Sequence, residues 1–293
     1  MHYALCTKHY ALKQTGTTLK RLLLLLSIIA LTTSTAWAQE QFSIWDGPAP
    51  GEKDVSANPT LLLYQPENKT TDSCLIVFPG GGYNHLAKDH EGDKIAKYFN
   101  SKGMTVAVLW YRIPRRPGVE KHRVAWQDAQ RAVRFVRSHA DEWKINPEKI
   151  GVLGFSAGGH LTLMTSTSSQ TPAYEPVDDL DKTPCYVNFA VPVYPAYVLE
   201  RTDKGYTLES KIVDEFAFDA KTPPMCFIHG DSDVCPSMAS AVVYAKLKSM
   251  GIPTELHIYA KVNHGFGANP KDNHVGDWLN RVYEWMKVMG YAN

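Results

Sequence analysis

Apolar residues follow two rhythms that alternate along this chain. Seven short, nearly continuous apolar runs read as strands: TLLLYQP (60–66), CLIVFPG (74–80), MTVAVLWYRIP (104–114), KIGVLGF (149–155), YVNFAVPVYP (186–195), MCFIHG (225–230) and TELHIYA (254–260). The second has the unbroken apolar character of a strand buried on both faces. Between them lie stretches of helical spacing. HEGDKIAKYFNSKG (90–103) ends in a glycine stop. VAWQDAQRAVRFVRSHADEW (124–143) is the longest, with Val124, Ala129, Ala132, Val133 and Val136 on one side. GGHLTLMTSTS follows the fourth strand directly, and further helices are predicted at 237–250 and in DWLNRVYEWMKVMG (277–290). Strand and helix alternating in this way predict the α/β class, a mostly parallel sheet with helices on both faces. Ligand sites in such sheets lie beyond the carboxyl ends of the strands. Residues with chemistry to do should therefore follow strands.

Residues 1–38 break this pattern. Lys8, Lys13, Lys20 and Arg21 precede LLLLLSIIAL (22–31), and TTSTAWA leads to Gln39. A basic start, an apolar centre too short to span a bilayer comfortably and a small-x-small ending describe a secretory signal peptide cleaved after Ala38. The expectation is an exported protein, periplasmic or extracellular, with no membrane insertion after cleavage. Residues 39–293 then form a single catalytic domain. The leader holds four basic and no acidic residues, so its loss takes the net charge from +1 to −3. That balance disfavours nucleic acid as a partner. Cys74, Cys185, Cys226 and Cys235 remain, without zinc-ligand spacing. Export permits disulfides among them, while the apolar runs around Cys74 and Cys226 suit buried thiols equally well. Oligomeric state is left open.

The candidate chemistry begins at Gly154-Phe-Ser156-Ala-Gly158. A strand feeding a helix through Gly-x-Ser-x-Gly is the nucleophile-elbow pattern. A serine hydroxyl needs a histidine to take its proton and a carboxylate to orient that histidine. His264, in KVNHGFG directly after TELHIYA, is the candidate base. His257 sits mid-strand, and His160, four residues past Ser156, suits packing or helix hydrogen bonding. Asp231 and Asp233 both follow MCFIHG. Asp231 adjoins Gly230 and suits a turn, so Asp233 is preferred. The oxyanion of an acyl-transfer intermediate needs N–H donors. Ala157 offers one, and Gly81 and Gly82 in FPGGGY offer others. The glycine loop lacks the Gly-Lys-Ser/Thr ending of a phosphate loop.

With these marks in register the chain resembles the α/β-hydrolase superfamily, and within it the secreted bacterial acetyl-esterase and acetylxylan-esterase-like group. FPGGGY, DHEGDKIAKYF, WYRIP, DAQRAVRFVR, IGVLGFSAGGHL, HGDSDVCP and NHGFG carry the resemblance, from about Thr60 to Trp285. It implies an α/β-hydrolase fold with a minimal cap, a Ser156–Asp233–His264 triad and an oxyanion hole of Gly81, Gly82 and Ala157. Pro79 stands where related esterases carry a histidine before the glycines, which leaves the loop's position in question. Residues 128–131, Asp-Ala-Gln-Arg, read as scaffolding between helix and sheet. The resemblance implies no metal and no organic cofactor.

The candidate cap insertion, Leu199 to Thr222, is short and rich in charge, which suggests an open site for short acyl groups on a bulky polar leaving part. Tyr83, Tyr111 and Tyr194 follow strand ends and are candidates for stacking on sugar rings. The basic loop PRRPGVEKHR (114–123) lies near the same end and reads as solvated. The expected activity is removal of acetyl groups from poly- or oligosaccharide, such as acetylated xylan. A peptidase or amidase of the same fold and a non-catalytic binding protein are the competing readings.

Overall fold

Central strands buried on both faces must send alternate side chains into two separate cores, and this one does. The computed structural model describes residues 39–207, 209–268 and 274–293. Eight strands, β1 (Gln39–Ser43), β2 (Thr60–Tyr64), β3 (Cys74–Phe78), β4 (Thr105–Trp110), β5 (Ile150–Phe155), β6 (Phe189–Val193), β7 (Met225–Gly230) and β8 (Thr254–Tyr259), form one sheet. Their order is β1-β2-β4-β3-β5-β6-β7-β8. The β1–β2 and β2–β4 pairs are antiparallel, and every other pair is parallel. The helices are α1 (Lys94–Ser101), α2 (Arg123–Ser138), α3 (Ala157–Thr167), α4 (Met238–Ser249) and α5 (Trp278–Val288). This is the α/β-hydrolase fold.

In β3, Cys74, Ile76 and Phe78 join the core beneath α2, α3 and α4, while Leu75 and Val77 join the core beneath α1 and α5. Each such side chain contributes about 1.5–3 kcal/mol on burial. A one-residue slip would exchange the two sets, so the register is strongly specified. β1 carries no apolar period and is largely exposed. It pairs through its backbone at the sheet edge, which is why QEQFS gave no strand signal. The 90–103 helix opens with a π turn, Asp89–Asp93, that turns Glu91 and Gly92 inward. The signal-peptide reading of residues 1–38 lies outside the described residues. No helix among the described residues is long and apolar enough to cross a membrane.

Residues 128–131 tie α2 to its surroundings. Arg112 Nε donates to both oxygens of Asp128 at 3.0 Å, and Trp45 Nε1 donates to the same carboxylate at 3.1 Å. Burial pushes the Asp128 carboxyl up, and Arg112 pulls against that shift. Arg131 donates to the Ile44 carbonyl at 2.7 Å and pairs with Asp178 and Asp181. Removing one partner of so buried a pair strands a charge, which typically costs about 3–5 kcal/mol.

Candidate active site

Ser156 sits at the tip of the β5–α3 turn with φ 54° and ψ −116°. That region is costly for any residue with a Cβ and persists only where the surroundings enforce it. The flanking glycines show what enforces it. A Cβ at Gly154 would strike the Gly158 carbonyl oxygen, and a Cβ at Gly158 would strike the Phe78 carbonyl oxygen of β3. The tight Gly-x-Ser-x-Gly spacing is thus a packing requirement of strand against helix.

The loops after β7 and β8 bring the other two side chains to this turn. His264 Nε2 lies 2.8 Å from Ser156 Oγ. Its Nδ1 lies 2.7 and 2.8 Å from the two oxygens of Asp233. The Asp233 side chain is wholly buried and also accepts the Cys235 N–H at 2.6 Å. With Asp233 accepting at Nδ1, that nitrogen carries the proton, and Nε2 is free to accept from the serine. Burial alone would pull the His264 imidazole down. The hydrogen bonds to Asp233 and its negative charge, with a contribution from nearby Cys235, outweigh it and raise its pKa above the ordinary value. Asp231 is exposed and begins a surface turn, its N–H bonded to the Tyr259 carbonyl at 2.9 Å. His257 pairs with Glu255 on β8.

Two recesses meet at Ser156. One, of about 420 Å³, is lined by Gly81, Gly82, Asn84, His85, Glu91 and His264 among others. The other is narrower, about 140 Å³, and runs between Pro195–Leu199, Tyr206 and the 234–239 stretch. Gly81 and Gly82 adopt φ 132° and 63°. Neither N–H donates to a backbone carbonyl among the described residues. Ala157, at the first position of α3, directly follows the serine. The Pro79-containing loop is held by Glu91, which sequence reasoning missed. Its Oε2 accepts the Gly80 N–H at 2.8 Å, and its Oε1 accepts the Tyr194 hydroxyl at 2.8 Å. The available signal was an acid four residues before Ile95, in phase with the apolar stripe of the DHEGDKIAKYF helix.

The three tyrosines do not offer ring faces to a ligand, which corrects the sugar-stacking expectation. Tyr83, Tyr111 and Tyr194 are 0%, 1% and 0% exposed. Strand ends in a doubly covered sheet are roofed by neighbouring loops, so their hydroxyls serve inside. Tyr111 donates to the Pro79 carbonyl at 2.6 Å. Tyr194 accepts the Gly267 N–H at 3.0 Å, and its ring centre lies 4.9 Å from that of His264. The Tyr83 hydroxyl meets His160 Nδ1 at 2.8 Å. The exposed aromatics beside Ser156 are instead Tyr197 and Tyr206. Among the described residues the four cysteines form no disulfide, and Cys74, Cys185 and Cys226 are buried.

His160 is buried as expected, but its partners lie outside its own helix. Nε2 lies 2.6 Å from Glu215 Oε1 in the 199–222 segment. Nε2 therefore donates to the carboxylate and Nδ1 accepts from Tyr83. His122, at the start of α2, stands beside the same carboxylate, with Nδ1 3.4 Å from Oε2. Burial keeps both imidazoles below their ordinary pKa. Among its described residues the 199–222 segment has no helix or strand of its own, and Glu215 and Phe216 anchor it against α3.

A family model described as BD-FAE matches residues 61–211. An acetylxylan esterase of Xylanibacter ruminicola is 27% identical over 246 residues, covering 78% of this chain and 48% of that protein. An endo-1,4-beta-xylanase B of Butyrivibrio fibrisolvens is 28% identical over 247 residues, covering 79% of this chain and 38% of that protein. The chain thus spans about half or less of the length of these two relatives. Among solved structures, the acetyl ester-xyloside bifunctional hydrolase of Caldicellulosiruptor lactoaceticus superposes with a TM-score of 0.73 at 28% identity. The match covers 87% of this chain and 97% of that one.

Proposed function

The chain belongs to the BD-FAE family of α/β-hydrolases, and on that footing we propose that it is a serine carboxylesterase removing short acyl groups, chiefly acetyl, from carbohydrate such as acetylated xylan. One observation carries the reading: an unbroken hydrogen-bonded chain from Ser156 Oγ through His264 to a buried Asp233. It stands at a strained turn that shares a recess with Gly81 and Gly82.

In this reading Ser156 Oγ attacks the ester carbonyl as His264 Nε2 takes its proton. The negative charge that develops on the carbonyl oxygen falls to the N–H groups of Ala157, Gly81 and Gly82. Donors aimed at developing charge are each worth about 10²–10³ in rate. Collapse of the tetrahedral intermediate breaks the ester C–O bond, and the sugar hydroxyl leaves with the proton from His264. Water then attacks the acyl-serine by the same route in reverse, releasing acetate. Asp233 holds the imidazole in the productive tautomer and stabilises its charged form.

The names of the similar proteins support acetylated xylan as substrate class. Exposed Tyr197 and Tyr206 beside Ser156 are consistent with a sugar at the rim. The narrower recess suits a short acyl group and the wider one the leaving carbohydrate. Residues 39–293 act as one catalytic domain in this reading, exported by the 1–38 leader.

The experiment is acetate release from acetylated xylan beside hydrolysis of p-nitrophenyl acetate, with Ser156→Ala as control. Release from both, lost in the variant, is the expected outcome. Hydrolysis of the small ester alone would remove xylan from the reading. Turnover of peptide anilides without ester turnover would replace it with a peptidase.

A further inference from the structure

Among the described residues outside the triad, two clusters of donor atoms have no part in the ester chemistry, and one of them, His122, His160 and Glu215, contains an unpartnered buried nitrogen. We propose that His122, His160 and Glu215 form a binding site for a transition-metal dication, zinc by preference, that clamps the 199–222 segment onto the starts of α2 and α3. The inference does not rest on the esterase reading, because none of the three residues lines either recess at Ser156.

The geometry is that of a two-histidine, one-carboxylate set. One donor atom from each residue lies within 4.8 Å of the others. Metal bonds of ~2.0–2.1 Å at tetrahedral angles put adjacent ligand atoms about 3.3 Å apart. His122 Nδ1 already lies 3.4 Å from Glu215 Oε2. His160 Nε2 and Oε1, at 2.6 Å, would need to part by about 0.7 Å to reach that spacing.

A second observation points to a ligand independently. His122 is 3% exposed, and its Nδ1 is a buried nitrogen with no hydrogen-bond partner among the described residues. An orphaned buried polar atom costs about 1–3 kcal/mol. Here it faces a carboxylate that it does not bond, and a cation between them would satisfy both. The other groups suit the role. His160 Nε2, which donates to Glu215 in the metal-free protein, would ligate once its proton moves to Nδ1, which then donates to the Tyr83 hydroxyl. Tyr83 at His160 Nδ1 would fix the orientation of the ligating ring, as outer partners of metal histidines do. Imidazole with carboxylate is the donor chemistry of zinc and its neighbours rather than of calcium or magnesium. Lys121 Nζ, 3.6 Å from Oε1 on a partly exposed side chain, is the competing cation. It can swing into solvent as the ion enters, and water at the exposed edge of Glu215 completes the shell.

The test uses untagged full-length protein stripped with EDTA and titrated with cobalt(II), followed by visible absorption, calorimetry and competition with zinc(II). One equivalent should bind, with ligand-field bands of a nitrogen–oxygen set and a rise in melting temperature. His122→Gln and Glu215→Gln should each weaken binding by ~10-fold or more, and Tyr83→Phe by about 10-fold. Lys121→Met, at a partly exposed position, should tighten it. Near-ultraviolet circular dichroism of the metal-free variants checks that they fold. Failure of the wild type to bind one saturable equivalent overturns the proposal. So does equal affinity in both ligand variants. A thiolate charge-transfer band that Cys235→Ser or Cys226→Ser removes would put the ion elsewhere and equally overturn it.

Discussion

Glu91 spans two halves of the site: one oxygen accepts the Gly80 N–H and the other the Tyr194 hydroxyl. Tyr194 in turn lies against His264 and accepts the Gly267 N–H of the loop beyond it. The glycine loop and the histidine loop, remote in sequence, thus share one buried carboxylate. Glu91→Ala orphans both donors, at about 1–3 kcal/mol each. Thermal melting should fall accordingly, and kcat should fall more than KM rises. A variant melting like the wild type would show that the bridge contributes little.

Asp233 and Asp231 are two residues apart but differ in kind. Asp233→Asn should lower kcat by roughly 10³–10⁴-fold through loss of the productive imidazole tautomer. Asp231→Asn, on an exposed turn, should stay within a few-fold of wild type. Steady-state kinetics on p-nitrophenyl acetate decides, and the reverse ranking would reassign the acid.

His264 must be neutral to accept the serine proton. Asp233 and Cys235 raise its pKa, so the acid limb of kcat/KM, which reports the free enzyme, should lie above the ~6.5 of unperturbed imidazole. Activity is then lost as pH falls through that limb and regained as it rises. The residual activity of Asp233→Asn should show the limb moved to lower pH. A limb unmoved by this change would mean that another group is titrating.

In the proposed function the narrow recess beside Ser156 holds the acyl group and limits its length. Acetyl and propionyl p-nitrophenyl esters should be cleaved at least ~10-fold more efficiently than the octanoyl ester, because each methylene that finds no room loses about 0.8 kcal/mol of burial. Tyr206→Ala opens one wall and should flatten the preference. An octanoyl ester turned over as well as acetyl by the wild type would contradict this assignment of the recess.

An activated serine reacts stoichiometrically with a phosphorylating organophosphate such as paraoxon, since attack on phosphorus needs the same deprotonation by histidine. Intact-protein mass spectrometry should show one diethylphosphoryl adduct in the wild type. Ser156→Ala should show none, and His264→Ala should label far more slowly. Labelling that persists in Ser156→Ala would move the nucleophile elsewhere.

Much of this was open to reading from residue order alone. Strand and helix periods follow from local burial, and Gly-x-Ser-x-Gly encodes a turn that only glycines permit. The placing of Asp233 and His264 just after strands followed from the parallel sheet, and His264 comes within hydrogen-bonding reach of Ser156 and Asp233 within reach of His264. What depended on tertiary contact was hidden. Tyr83, Tyr111 and Tyr194 look like a binding rim by position, yet loops from distant segments roof them. The inward turn of Glu91 depends on which loops meet above the sheet. The convergence of His122, His160 and Glu215 joins residues from three separate segments, and no local pattern carries such a meeting. Periodicity reports which side of an element is buried. It says nothing about what the burial is against, and in this protein that decided the supports of the site.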